Sequence, residues 1–423
     1  MNQNILLSTC IGSILEWYDF SVYAYLTPIL AMVFFPNQQS YLANLLSYTL
    51  FASAYLIRPI GAIFFGHLGD TQGRKKPLII SIGAMAITTC CIGLLPTYHS
   101  IGILAPCLLL LLRLMQGLFI GGESFGALCF ISELKTTRRI GYITALVWAS
   151  SGVGMLFGSV IIFCFTIFLK KHDLYTFGWR IPFLLGALTG IVGYYIRRNA
   201  AESAQFLALK RAQSIERWPL KKIVLSHKVL CVQLASIYLL SALITYLLFV
   251  FMPVYASTIL NYSLQQATAV NTVILILSIT LNISFGFLSD IWDKKQLMLC
   301  AAFAFVILSF PLYHLLAYKQ FFFTAQLLFT LLAACFQGPL TALVIAQIPT
   351  EIRYSLGSLS YNLSYALFGG TAPLVALFLI HSTGNAAAPG AYLAIAAVIT
   401  SLGLISLDQK ANLTKKLLIN QIT

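Results

Sequence analysis

Glu16 and Asp19 stand three residues apart in the first long apolar stretch of the chain, Arg58 in the second, and Arg113 and Glu123 in the fourth. A charge inside a helix of membrane length costs ~3 kcal/mol or more to insert, so such groups face each other or a water-filled path and mark a functional site. On a helix turning about 100° per residue, Glu16, Asp19 and Tyr23 share one face. Arg113 and Gln116 share another, with Glu123 nearly three turns along. Three carboxylates against two guanidiniums leave one excess negative charge, so one carboxylate is expected to hold a proton near neutral pH. A buried acid that protonates from one side and releases to the other is what proton coupling requires. Asp19 and Glu123 are the favoured carriers, with Glu16 and Arg113 as their partners. A static ion-pair network that only orders the helices is the competing reading.

The elements that must hold these residues are membrane helices. The chain is 59% hydrophobic and 9% charged, with mean hydropathy +0.87, whereas soluble domains carry about 25% charged residues. Twelve apolar runs, centred roughly on residues 20, 55, 88, 118, 155, 187, 243, 277, 307, 334, 368 and 399, each reach the ~20 residues of a bilayer-spanning helix. They use up the 423 residues and leave no room for a soluble enzyme domain.

The net charge of +14 comes from a one-sided distribution. Of the 26 Lys and Arg, only Lys170, Lys171, Arg180 and Lys319 fall in loops on one side, and Arg58 and Arg113 fall within spans. The remainder lie in the opposite loops and the tail, among them Arg74-Lys75-Lys76, Lys135/Arg138/Arg139, Arg197 through Lys228, Lys294/Lys295 and Lys410/Lys415/Lys416. The positive-inside rule then places both termini in the cytoplasm of a cell-membrane protein, with basic charge meeting anionic lipid rather than nucleic acid. The nine cysteines lie in apolar segments without metal-type spacing and read as small buried residues. The first ten residues lack Lys and Arg, so the first helix reads as a retained span rather than a cleaved signal.

Two six-helix halves emerge, 1–197 and 229–410, joined by a polar cytoplasmic linker at 198–228 and followed by a tail at 411–423. The linker carries Trp218-Pro219, which suggests a surface helix broken at Pro219. Gly66-His67-Leu68-Gly69-Asp70-Thr71-Gln72-Gly73-Arg74 joins helices 2 and 3, and Gly286-Phe287-Leu288-Ser289-Asp290 stands at the equivalent place between helices 8 and 9. Gly66 and Gly69 permit close helix contact, and Gly73 permits a positive-φ turn. Asp70, with Asp290 as its counterpart, is expected to pair with Arg74 or to meet the N-terminal end of a neighbouring helix as a cytoplasmic latch.

This loop motif resembles the signature of the major facilitator superfamily, and Arg113-Leu114-Met115-Gln116-Gly117 is similar to that superfamily's second motif. Glu16-Trp17-Tyr18-Asp19-Phe20, Arg58-Pro59-Ile60-Gly61, Gly121-Gly122-Glu123, Gly178 through Phe183, Pro349 through Arg353, Tyr361-Asn362 and Gly369 through Pro373 resemble its metabolite:proton symporter branch. The resemblance implies an all-α integral membrane fold with twelve transmembrane helices in two pseudo-symmetric six-helix bundles. It also implies alternating access around a cavity lined by helices 1 and 4 of each half. The match has departures. The second loop lacks the Gly-Arg ending and reads Asp293-Lys294-Lys295, and Gln347 replaces an expected acid. The chain ends soon after helix 12, so the coiled-coil osmotic regulation of some members is not expected.

The second half offers polar and aromatic rather than charged candidates. Tyr246, Gln337, Tyr361 and Asn362 join Glu16, Asp19, Tyr23, Arg113 and Gln116 as proposed substrate contacts. Arg58, before Pro59, is expected toward the middle or cytoplasmic half of helix 2, with a structural role at the latch at least equal to substrate contact as a reading. Arg113 suits a carboxylate in a bidentate pair, and Trp17, Tyr18, Phe20 and Tyr23 suit an ammonium by cation–π contact. The resemblance thus points to proton-coupled import of a zwitterion such as proline or betaine. The alternatives are an organic-acid transporter, including citrate-like chelators, a proton-antiport exporter and, last, a non-transporting sensor. No cofactor is expected and a monomer is. A nucleophile elbow, a metal-ligand cluster and a nucleotide loop are all missing from the sequence, so an enzyme is not.

Overall fold

The computed structural model describes residues 3–38, 40–133, 139–198 and 202–407. The tail at 411–423 with Lys415 and Lys416, together with Lys410, Lys135 and Arg138, lies outside the described residues. Twelve long helices follow in order. They are α1 (Gln3–Phe34), α2 (Leu45–Thr71), α3 (Lys75–Gly93), α4 (Leu104–Ser132), α5 (Ile140–Phe168) and α6 (Arg180–Arg198). The second half supplies α7 (Lys228–Val250), α8 (Leu264–Leu288), α9 (Lys294–Leu316), α10 (Phe322–Gln347), α11 (Thr350–Thr383) and α12 (Ala388–Ser406). The 11 helices from α2 to α12 are long and apolar enough to cross a bilayer. At 32 residues α1 also has the length.

Two short helices, Ala204–Arg211 and Pro219–Ser226, lie between α6 and α7. Pro219 opens the second of them, where its missing N–H costs nothing, rather than breaking a helix as expected. We call the end of the molecule that carries these helices the linker face and the opposite end the far face. Within the halves α1 packs on α5, α3 on α6 and α9 on α12; between them α5 meets α8 and α2 meets α11.

Helices in hydrocarbon gain nothing by hiding apolar side chains from lipid, so close approach depends on small residues. Gly117 and Gly121, four apart on α4, supply it: a Cβ at Gly117 would overlap Ala54 O, and one at Gly121 would overlap Arg58 O. This backbone contact sets α2 against α4 and carries Arg58 into the interior. α4 is interrupted at Gly121 and Gly122, and their carbonyls accept from Asn362 Nδ2 (2.7 Å) and Tyr354 Oη (2.6 Å) of α11.

At the far face Pro253 has no N–H to offer Phe249 O. Tyr25 Oη of α1 donates to that carbonyl at 3.3 Å and accepts from Asn271 Nδ2 at 3.2 Å. The halves therefore touch on both sides of the centre. Widened π-type turns at Ile244–Val250 in α7 and Tyr365–Gly369 in α11 face that centre, a feature often met at functional sites.

Gly117→Val should force α2 and α4 apart, and overpacking of this kind costs about 1–3 kcal/mol. Thermal unfolding in detergent should then begin at lower temperature, while Leu111→Ala, at a side chain 54% exposed on the outer surface, leaves it in place. Identical melting of the Gly117 variant and the unaltered protein would show that the α2–α4 contact is not what holds these helices.

Candidate functional site

Burying a carboxylate requires donors around it, and the acids of α1 find them on α3 and α4. Asp19 accepts from Thr89 Oγ1 of α3 at 3.0 Å and from Gln116 Nε2 of α4 at 2.7 Å. Gln116 Oε1 in turn accepts from Arg113 at 2.8 Å, so Gln116 links guanidinium to carboxylate. Arg113 lies 3.6 Å from the centroid of the Tyr23 ring. Glu123 accepts from Ser81 Oγ at 2.8 Å and forms an ion pair with Arg197. Glu16 accepts from Ser124 Oγ through one oxygen, while its Oε2, also buried, has no hydrogen-bond partner. Glu16, Asp19 and Glu123 all line one cavity of about 20 Å³, room for a single water.

The pairing of Glu123 corrects the charge count made from sequence. Arg197 was counted with the loop charges, yet it is 4% exposed and sits inside the first half. Three guanidiniums (Arg58, Arg113, Arg197) balance three carboxylates (Glu16, Asp19, Glu123), so an excess negative charge cannot be what retains a proton. Arg113, meanwhile, approaches Asp19 and not Glu123.

Of the two places open to Arg58, the structure gives it the one in the middle of the membrane rather than the one at the latch. It is 1% exposed and lies at the centre, its guanidinium 3.9 Å from the Tyr55 ring centroid and 4.5 Å from that of Phe20. Glu16, Tyr246 and Tyr361 are within its electrostatic reach. Tyr246 Oη donates to Tyr55 Oη across the halves at 2.5 Å. Trp17 lies 6.1 Å from Tyr246 and 6.5 Å from Tyr365, and Tyr361 stacks on Tyr365 at 4.1 Å. The centre is thus a packed aromatic cluster that holds a guanidinium. Arg58 Nε and Nη1, and Arg113 Nε and Nη2, are buried donors without partners. An unsatisfied buried donor costs ~1–3 kcal/mol, more when charged, and the rings of Phe20, Tyr55 and Tyr23 offset part of that cost by facing the two guanidiniums.

Two second-half candidates have different work. Gln337 donates to Ser241 Oγ (3.3 Å) and Thr245 Oγ1 (3.0 Å), tying α10 to α7, and lines a separate cavity of about 20 Å³ beside Trp17 and Asn282. Asn362 spends its amide on Gly121 O and Ser358 O, bridging the halves. Sequence reasoning missed Arg197, Tyr55, Ser81, Thr89 and Ser124; the hydroxyls at 81 and 89, on one side of α3, were the available signal.

The latch combines both expected arrangements. Asp70 pairs with Arg74 at 2.8 Å and also accepts from Tyr354 N (3.2 Å) and Ser355 N (2.9 Å) in the first turn of α11's helical core, Arg353–Ser364. Asp290 accepts from Gly141 N (2.7 Å) and Tyr142 N (2.9 Å) at the start of α5. Each half's acid therefore caps a helix of the other half, where the helix dipole favours negative charge. A Cβ at Gly66 would press on the Ser355 backbone and one at Gly69 on the Tyr354 ring. Gly73 has φ +115°, open to glycine alone without strain. Arg74 also reaches Glu133 (3.2 Å), which Arg353 meets at 3.4 Å, and Ser203 of the linker donates to the same carboxylate. Glu202 accepts from Arg74 N (2.9 Å) and Lys75 N (3.3 Å), capping α3.

The model of the Major Facilitator Superfamily matches residues 9–373. The chain belongs to the Major Facilitator Superfamily. Among its relatives in that superfamily is the proline/betaine transporter of Salmonella typhimurium, 31% identical over 421 residues, covering 97% of this chain and 84% of that one. The glycine betaine/proline/ectoine/pipecolic acid transporter OusA of Dickeya dadantii is also 31% identical, with the same coverage. Among solved structures, the proton:xylose symporter XylE bound to 6-bromo-6-deoxy-D-glucose superposes with TM-score 0.74 at 17% identity, covering 94% of each chain. That likeness supports the fold: twelve helices in two bundles.

In this superfamily member the latch closes the linker face, so weakening it should open that face. In a cysteine-free background with a cysteine at Tyr23, Asp70→Asn is expected to speed labelling by a polar thiol reagent applied from the linker face. A helix-terminus charge contributes about 0.3–1 kcal/mol at exposed sites and up to ~2 kcal/mol when partly buried, so a several-fold change should result. Unchanged labelling would mean that Asp70 does not hold the face shut.

Proposed function

We propose that the chain is a proton-coupled secondary transporter that imports a small zwitterion of the proline/betaine class by alternating access. The observation that carries this reading is that the buried guanidinium of Arg58, with donors left open, lies within electrostatic reach of Glu16, which has an unpartnered carboxylate oxygen. Two relatives at 31% identity named for proline, betaine and related zwitterions support the substrate class.

Glu16, rather than the expected Asp19 or Glu123, is the proton carrier in this reading. Both Asp19 and Glu123 are held by two partners each that suit the ionised form. Glu16 has one donor and a bare second oxygen, so of the three carboxylates its ionised form is the least supported by hydrogen bonds. Arg58 serves two anions in turn. While Glu16 is ionised, it neutralises Arg58; once Glu16 is protonated, Arg58 is free to take a substrate carboxylate as a forked pair. Proton and substrate then favour each other's binding by the same factor, as linkage demands. The ammonium rests against Trp17, Tyr246, Tyr361 and Tyr365, a contact worth ~2 kcal/mol when desolvated. Closure on both faces corresponds to an occluded step between the two open states.

The basic loops and the linker support a cytoplasmic linker face with both termini inside, in the inner membrane of a bacterium. In this reading the two halves of one chain enclose the site, and the monomer is the working unit. A dicarboxylate is the second reading, favoured by the open donors on Arg113 as well as Arg58.

The test is uptake into proteoliposomes of labelled proline, glycine betaine, 2-oxoglutarate, citrate and shikimate, with and without an inward proton gradient. Gradient-stimulated uptake of proline or betaine is expected; stimulation of 2-oxoglutarate or citrate alone would transfer the reading to organic acids. Stimulation of none would overturn it. Arg58→Lys, which keeps the charge and loses the fork, should raise KM about 10- to 100-fold, because a charged hydrogen bond contributes ~1.5–3 kcal/mol.

A further inference from the structure

Arg197 closes α6 at the linker face, and its guanidinium turns inward to Glu123 instead of out to water. One nitrogen also donates to Leu78 O at 3.2 Å, in the first turn of α3. The space it occupies exists because α1 has glycine at 12: a Cβ there would overlap Arg197 Nη2 and come within 2.9 Å of Glu123 Oε1. Gly12 and Glu123 both line the cavity of about 20 Å³ that Glu16 and Asp19 share. Around Glu123 stand Ser81 of α3, Arg197 of α6, Glu16 of α1 and Tyr354 of α11, whose hydroxyl donates to Gly122 O. Asp19 completes the cavity, and Arg58 faces Glu16. Glu123 therefore lies between the central acid and the linker face, with one cation on its outer side.

We propose that Glu123 and Arg197 form the exit of the proton route, with Arg197 as the positioning residue that strips the proton from Glu123 and holds the emptied carboxylate. The proposal rests on Glu16 as the central proton carrier. The proton passes from Glu16, through one water filling the shared cavity, to Glu123, whose ion pair with Arg197 opens as it becomes neutral. Release of that proton to the linker-face solvent restores the carboxylate and the pair closes behind it. No other bond changes. Arg197 stands five residues before Glu202, which caps α3, and six before Ser203, which donates to Glu133. The exit thus adjoins the linker contacts that hold the latch.

The test measures two rates in proteoliposomes: uphill accumulation driven by an inward proton gradient, and substrate exchange at equal pH. In Arg197→Gln, accumulation should fall on the order of 100-fold, the size typical of a lost proton-transfer group, while exchange continues because the central cluster is untouched. Arg197→Lys should recover part of the loss, and Gly12→Ala should reproduce it by displacing the guanidinium while leaving every charge in place. Accumulation by Arg197→Gln equal to that of the unaltered protein would overturn the proposal. So would equal loss of exchange and accumulation in both Arg197→Gln and Gly12→Ala, which marks a purely architectural pair. Failure of the unaltered protein to respond to a proton gradient would instead defeat the underlying symport reading.

Discussion

A carboxylate withdrawn from water into a helical bundle stays ionised only while donors or a cation surround it, and its cost without them reaches several kcal/mol. The first half of this chain places three such groups on α1 and α4 and answers them with Arg58, Arg113, Arg197 and a set of hydroxyl and amide donors. Where each helix sits follows from meeting that demand. α3 must bring Ser81 and Thr89 inward, α4 must present Gln116 between Arg113 and Asp19, and α6 must end with Arg197 under α1. The glycines at 12, 117 and 121 allow the approaches that make this possible.

The same electrostatic need appears at the linker face in another form. Asp70 and Asp290 are satisfied by the N-terminal amides of helices from the opposite half, so closure of that face satisfies each carboxylate. Opening the face exposes them to water instead, an exchange of partners with a modest difference in free energy. A transporter requires such near-balance, because both open states must be reachable. In the centre, by contrast, partners are left incomplete: Arg58, Arg113 and Glu16 each keep an open position.

Much of the fold was legible in the sequence because hydrocarbon imposes length and polarity on every span, and the twelve apolar runs correspond to the twelve helices. Asp70 was legible because its glycine-rich setting is local. What escaped was depth at helix ends. Arg197 reads as one more basic loop residue, and its burial is decided by Gly12, 185 positions earlier. Arg58 reads equally as a latch residue or a central one, and the glycine contact between α2 and α4 is what carries it to the centre. Gln337 and Asn362 read as substrate contacts, and both make hydrogen bonds between helices. Their partners, Thr245 and the Gly121 carbonyl, belong to helices whose register the sequence does not declare.

The central claim is that Glu16 holds the transported proton and yields it when substrate leaves. Substrate-induced infrared difference spectra in lipid, recorded near neutral pH, read this directly through the carbonyl stretch of a protonated carboxyl group. The account predicts a band that shifts on adding proline or betaine, vanishes in Glu16→Gln and persists in Asp19→Asn. A band that survives in Glu16→Gln and disappears in Asp19→Asn would contradict it.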